Sequence, residues 1–305
     1  MVDTKIRIKD HQFQNPIFVA SGTFGYGLET SELMDVNKLG CVITKSVTLH
    51  PREGNPAPRI VETPSGMLNS IGLANVGVEK FIDEILPVYD DFKTPVILNI
   101  AGSSVDEYVK VLEKVEKSDD VLGGYEINVS CPNVDKGRME FGVDCEMTSK
   151  LMKELRQRTD KLLIMKLSPN VTDIVEIAKA AEDEGVDALS AINTVVGMSI
   201  NPWTFKPKIS KKFGGLSGPA IKPVAIASVY KVSQNVSIPI IGIGGILTGD
   251  DAVEFMLAGA VSVQVGTANF LEPSKGLSIL NELVAFCEKK NIDKVSSLTG
   301  GIING

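Results

Sequence analysis

The side chains equipped for chemistry in this sequence gather where short apolar runs end. Lys166 closes Ile164-Met165-Lys166-Leu167, and Lys45 closes Val42-Ile43-Thr44-Lys45-Ser46. A lysine in such a setting is costly to bury unless something anionic meets it. One such lysine could snorkel to a rim or pair with a carboxylate. Two at equivalent strand ends, facing one cavity, point to a bound anion. Asn99, Asn128 and Asn193 end other runs, and Asn69 lies on a long loop. Asparagines offer paired donors and acceptors without charge, which suits the edge of a planar imide or amide; their plainer use is to cap turns. The pairs Gly244-Gly245 and Gly266-Thr267 end two further runs. Bare backbone N–H groups there could cradle a phosphate, although glycines also serve simply to let the chain turn. Cys131, in Asn128-Val-Ser-Cys131-Pro-Asn133, has polar neighbours and a proline that ends the strand. A thiol, of ordinary pKa about 8.5, can serve as a general base where its surroundings stabilise the thiolate. Cys41, Cys145 and Cys287 read as small buried hydrophobes.

The elements that position these groups alternate. Val- and Ile-rich runs at 15–22, 41–49, 95–102, 124–131, 162–169, 187–194, 238–246 and 262–269 read as strands. Helical spacing is found at 76–92, 105–119, 144–160, 171–185, 218–236, 248–259 and 273–291, and more weakly at 29–39. Eight strands alternating with eight helices predict an α/β chain folded as a (β/α)8 TIM barrel, a single domain over 1–305. A doubly wound sheet is disfavoured because Gly22-Thr-Phe-Gly25-Tyr-Gly27 does not fit the GxGxxG fingerprint. In a barrel, polar residues at the carboxyl ends of strands are the catalytic ones. Those ends carry Ser21, Lys45-Ser46, Asn99, Asn128 with Cys131, Lys166, Asn193-Thr194, Gly244-Gly245 and Gly266-Thr267, the last two pairs at the usual phosphate position. Residues 50–75 and 195–217 are too long for simple connections, and predict loop insertions over the C-terminal mouth, the first hairpin-like.

Composition narrows the rest. With 31 basic and 38 acidic residues the chain carries a formal charge of −7, which disfavours nucleic acid or an anionic membrane as partner. Two histidines, His11 and His50, cannot build a His-rich metal site, and no P-loop or HExxH motif is present. The four cysteines form no CxxC pair, so neither a metal nor a cluster site is expected. No signal peptide and no apolar run of about 20 residues is visible, which leaves the cytoplasm as the expected compartment.

Taken together, Asn15-Pro-Ile-Phe-Val-Ala-Ser21-Gly, Lys45-Ser, Gly54-Asn-Pro-Ala-Pro-Arg59, Gly66-Met-Leu-Asn69-Ser-Ile-Gly-Leu73, Asn128-Val-Ser-Cys131-Pro-Asn133, Lys166-Leu-Ser-Pro, Asn193-Thr194, Gly214-Gly-Leu-Ser-Gly218 and Gly242-Ile-Gly-Gly-Ile resemble dihydroorotate dehydrogenase, from about residue 5 to 290. A cysteine at 131 is similar to the soluble class 1 enzymes, and Glu62-Thr-Pro-Ser-Gly-Met-Leu-Asn-Ser-Ile-Gly-Leu73 to the NAD-linked subclass 1B. The resemblance implies FMN as cofactor and oxidation of dihydroorotate to orotate in pyrimidine synthesis. It implies Cys131 as the base that takes the C5 proton while the C6 hydride goes to flavin N5. It further implies Lys45, Asn69, Ser70, Ile71, Gly72, Leu73, Asn128, Asn193 and Thr194 around the substrate. Ser21, Lys45, Ser46, Asn99, Asn128, Lys166, Ile192, Gly218, Gly244, Gly245, Gly266 and Thr267 are implied around FMN, with 132–142 as a lid. The subclass implies a partner subunit carrying FAD and a 2Fe–2S cluster, with a homodimer of this chain at the core of a heterotetramer. Alternatives are the fumarate-linked class 1A enzyme, a dihydropyrimidine dehydrogenase domain, and a flavin-free phosphate-binding barrel lyase or isomerase. Asn201 stands where the family pattern has Asp, and receives no role.

Overall fold

The fold is seen in a computed structural model that describes residues 1–118, 120–130 and 141–303. Eight strands close into a barrel: β1 (Ile17–Val19), β2 (Cys41–Ile43), β3 (Val96–Ile100), β4 (Gly124–Asn128), β5 (Leu162–Leu167), β6 (Ala188–Ala191), β7 (Ile240–Ile243) and β8 (Ala260–Val265). Every neighbouring pair is parallel, including β8 with β1. The helices between them are α1 (Val78–Lys80), which continues as a π turn at Phe81–Ile85 and a 3-10 turn at Leu86–Asp91, then α2 (Val105–Glu116), α3 (Cys145–Arg156) and α4 (Ile174–Asp183). They continue with α5 (Lys222–Ser233), α6 (Gly249–Leu257) and α7 (Lys275–Lys290). Ser104, Asp144, Asp173 and Thr248 cap α2, α3, α4 and α6 by accepting from backbone N–H groups of the first turn.

One expected helix is not formed. Residues 29–39 make turns that end in a 3-10 helix at Val36–Lys38. The reason is local: Ser31 Oγ donates to Leu28 O at 2.7 Å, and Asp35 accepts from Asn37 N at 3.1 Å. Such side-chain bonds compete with the helical ladder.

Period-two alternation sorts the barrel interior into layers. An antiparallel hairpin, Ile6–Ile8 with His11–Phe13, precedes β1. Its Ile6, Ile8 and Phe13 form one apolar cluster with Phe18, Cys41, Ile43, Ile97, Ile164, Ala188 and Ile241. Two residues further along the strands the interior turns polar, with Asn99, Glu126, Lys166, Ser190 and Gln264, all buried.

Both long insertions fold as extended structure, and they pair with each other. Ile60–Thr63 and Gly66–Asn69 form a hairpin. Gly66–Asn69 is joined on its other edge by Gly214–Ser217, which pairs in turn with Val195–Gly197. The result is a four-stranded antiparallel sheet built from the segments that leave β2 and β6.

Candidate active site

The polar layer of the barrel leads into a chain of hydrogen bonds that runs from the axis to the mouth. Glu126, fully buried on β4, accepts from Asn99 Nδ2 at 2.7 Å, Ser190 Oγ at 2.8 Å and Gln264 Nε2 at 2.6 Å. Asn99 Oδ1 accepts from Ser46 Oγ, and Ser46 Oγ accepts from Asn128 Nδ2 at 3.5 Å. Asn128 Oδ1 accepts from Asn193 Nδ2 at 3.2 Å, and Asn193 Oδ1 from the Thr194 N–H at 2.8 Å. Which end of each amide carries oxygen is set by this network. An acceptor-only carboxylate fixes Asn99, while the N–H groups of Ser130 and Thr194 fix Asn128 and Asn193.

Lys166, only 4% exposed, stands beside this chain. Its ammonium donates to Ser21 Oγ at 3.2 Å and lies 3.7 Å from Glu126 Oε1. Lys45 is half-buried one residue before Ser46; burial, joined by the nearby Arg59 guanidinium, holds its pKa below that of an ordinary lysine. The two lysines therefore bring positive charge to the same end of the barrel.

The sheet over the mouth carries the remaining expected residues. Asn69 Nδ2 donates to Gly215 O at 3.3 Å. Gly215 in turn lies so close to Thr194 that a Cβ there would stand 2.0 Å from Thr194 Oγ1. The stretch from Ser70 to Leu73 is tied down by two asparagines. Asn55 donates to Ser70 Oγ and Ser70 O at 2.9 and 3.0 Å, and its own N–H donates to Ile71 O. Asn75 donates to Leu73 O at 2.7 Å, while Gly72 and Leu73 take the left-handed φ values 74° and 55° that turn the loop inward.

At the ends of β7 and β8 the backbone turns close. Gly244, Gly245 and Gly218 have φ of 132°, 75° and 91°, and a Cβ on Gly245 would lie 2.8 Å from Gly218 O. Thr267 Oγ1 donates to Ser217 Oγ at 2.9 Å, which brings Gly218, Gly244, Gly245 and Thr267 to one spot. Ile192 is buried, with its N–H on Ile243 O. Space remains here: among the described residues a Cβ on Gly266 would touch Ala20 Cβ at an ordinary 3.5 Å, and one on Gly22 would meet nothing within 4 Å. Amide and hydroxyl donors, a buried ammonium and glycine turns fit FMN, whose ring is planar and whose phosphate is anionic.

Cys131 and all but the last two residues of the expected lid, 132–142, lie outside the described residues. Glu126 was not singled out in the sequence, although Gly-Tyr-Glu-Ile-Asn sets a charge in an apolar strand just as the lysine runs do. Asn55 and Asn75 gave no signal beyond that of turn asparagines. Asn201 accepts from the N–H groups of Trp203 and Thr204, a turn-capping position.

A closed parallel barrel with a buried ammonium, a row of oriented amides and glycine turns at its mouth is the frame of a cofactor-dependent barrel enzyme. The family model described as dihydroorotate dehydrogenase matches residues 3–286, and the chain belongs to that family. It is 49% identical over 301 residues to a Geotalea uraniireducens protein named dihydroorotate dehydrogenase B (NAD(+)), catalytic subunit, covering 99% of this chain and 98% of the relative. A Bacteroides thetaiotaomicron protein of the same name is 46% identical, with 99% of each chain covered. An Aquifex aeolicus protein, 48% identical with 98% of each covered, carries a provisional name as dihydroorotate dehydrogenase A (fumarate).

Proposed function

We propose that this chain is the catalytic subunit of an NAD-linked dihydroorotate dehydrogenase, and that it oxidises dihydroorotate to orotate in pyrimidine synthesis. The observation that carries this reading is the single hydrogen-bonded row from Glu126 through Asn99, Ser46 and Asn128 to Asn193, with Lys166 beside it. It supplies neutral, directional partners for an imide and positive charge for an electron acceptor at one barrel mouth.

Asn69, Ser70, Ile71, Gly72, Leu73, Asn128, Asn193 and Thr194 would hold the substrate, and Lys45 would meet both the substrate and the cofactor. Ser21, Ser46, Asn99, Lys166, Ile192, Gly218, Gly244, Gly245, Gly266 and Thr267 hold FMN. When bound, FMN would supply a two-electron acceptor for the hydride that leaves C6 as the C5–C6 single bond of the substrate becomes the double bond of orotate. Cys131 Sγ, as thiolate, takes the C5 proton. Lys166 offsets negative charge arriving at the ring. The oriented amides keep the substrate plane in register so that proton and hydride leave from adjacent carbons.

The chain acts as one FMN-binding domain in the cytoplasm, its electrons passing to a partner subunit with FAD and a 2Fe–2S cluster, two copies of each chain making a heterotetramer. Among the described residues no helix is long and apolar enough to cross a membrane. The fumarate-linked reading keeps a specific observation in its favour, the name of the Aquifex aeolicus relative. Both are tested on the purified chain. Cys131→Ala should retain FMN and lose dihydroorotate-driven flavin bleaching by about 10²–10⁴, the share a positioned base supplies. Bleaching at the parent rate would remove Cys131 from the role. Strong fumarate turnover by the chain alone would replace the NAD-linked reading with the fumarate-linked one.

A further inference from the structure

Glu126 heads the hydrogen-bonded row, yet the chemistry above gives it no role of its own. Its two oxygens are pinned from three other strands: Oε1 by Asn99 on β3, Oε2 by Ser190 on β6 and Gln264 on β8. The carboxylate cannot swing without breaking one of these bonds. It is held 3.7 Å from Lys166 Nζ, beyond hydrogen-bonding distance but deep in Coulomb range. Among the described residues, Lys166 has Ser21 Oγ as its hydrogen-bond acceptor, so an ammonium with three donors keeps capacity for a further partner.

We propose that Glu126 is a positioning residue, the fixed counter-charge of Lys166. Resting on the FMN reading above, its role is to make the ring meet a spaced ion pair in place of a bare cation. A lone buried ammonium would hold the charge of reduced FMN tightly. An opposite charge held 3.7 Å from it offsets part of that field while leaving the lysine free to donate. Electrons gained at the site then stay transferable.

The test uses Glu126→Gln, which removes the charge and keeps the shape. Ser190 can rotate its hydroxyl to accept, and Gln264 Oε1, which has no partner among the described residues, can accept from the new amide after a side-chain flip. Apoprotein is titrated with oxidised and with reduced FMN, and the midpoint potential of the bound flavin is measured. The ratio of reduced to oxidised affinity should rise at least tenfold, equivalent to an upward shift of about 30 mV for a two-electron couple. The parent's thermal midpoint should be nearly kept. Should E126Q alone fail to fold, the comparison of Lys166→Met with the double variant K166M/E126Q decides the matter, since replacing a whole buried ion pair is commonly tolerated. There too, removing the carboxylate should raise the ratio at least tenfold. A ratio unchanged within twofold, or lowered, in the folded variants overturns the inference while FMN binding by the parent stands. A parent that takes up no FMN overturns the cofactor reading, and this inference with it.

Discussion

Thr194 and Gly215 meet at a separation that leaves no room for a methyl group, and this makes the proposed substrate end of the site separable from the proposed cofactor end. In Gly215→Ala the new Cβ would stand 2.0 Å from Thr194 Oγ1, so one side chain must move. Displacing a substrate-holding group by about 1 Å costs on the order of a hundredfold in rate. Gly215→Ala should therefore raise KM for dihydroorotate or lower kcat/KM by tenfold or more, with FMN content unchanged by absorbance. Gly245→Ala should do the reverse, because φ there is 75° and the Cβ would press on Gly218 O at 2.8 Å. Its expected defect is loss of FMN on gel filtration, and equal FMN retention would argue against a phosphate site at that turn. Single residues were legible in the sequence where their type contradicted their surroundings, as Lys45 and Lys166 do. Glu126 contradicts its surroundings equally. It stood out only when its three donors, from strands 27 to 138 residues away, were seen to converge on it.

Among the elements, α6 shows how a helix start is coupled to its neighbour. Thr248 and Asp251 form a reciprocal capping box, Asp251 accepting from the N–H groups of Leu247 and Thr248 at 2.8 and 2.9 Å. Lys222, at the start of α5, reaches Asp251 at 2.6 Å and Glu254 at 2.7 Å. Burial pushes the Asp251 carboxyl up, but the hydrogen bonds from Lys222, Leu247 and Thr248, with the Lys222 charge, win and hold it below the usual carboxylate range. A depressed folded-state pKa stabilises above the unfolded value, about 3.9 for Asp, and that stability is lost as pH falls through the lower folded value. Asp251→Asn should thus cost about 1–2 kcal/mol at neutral pH, the scale of a lost cap. The difference in urea midpoint from the parent should be constant above about pH 5 and shrink below about pH 4. A difference that grows in acid would contradict it. The caps also explain why strand and helix order could be read from periodicity alone, while residues 29–39 could not. There the apolar spacing is weak, and the Thr30, Ser31 and Asp35 side chains bond to nearby backbone, which periodicity does not register.

For the whole molecule, the barrel follows from the alternation of runs, but the sheet over its mouth does not. Asn69 and Gly215 pair across 146 residues, and neither insertion has a pattern that names the other as partner. That sheet bears on how electrons leave. Hydride transfer to a nicotinamide needs reacting atoms about 3–3.5 Å apart, whereas the segments around Asn69 and Gly215 cross the same mouth that the substrate must use. The sequence holds no nucleotide fingerprint to seat a dinucleotide there. The proposed outside electron carrier would meet both constraints. The purified chain, mixed with dihydroorotate under nitrogen, should bleach its flavin once and then stop. Added NAD should restore colour no faster than buffer, and a subunit bearing FAD and a 2Fe–2S cluster should make restoration continuous and NADH formation stoichiometric with orotate. Stopped-flow absorbance separates the two halves of this cycle. If NAD alone reoxidises the isolated chain at the rate seen with the partner, the nicotinamide reaches the barrel directly, and the partner-linked route is overturned.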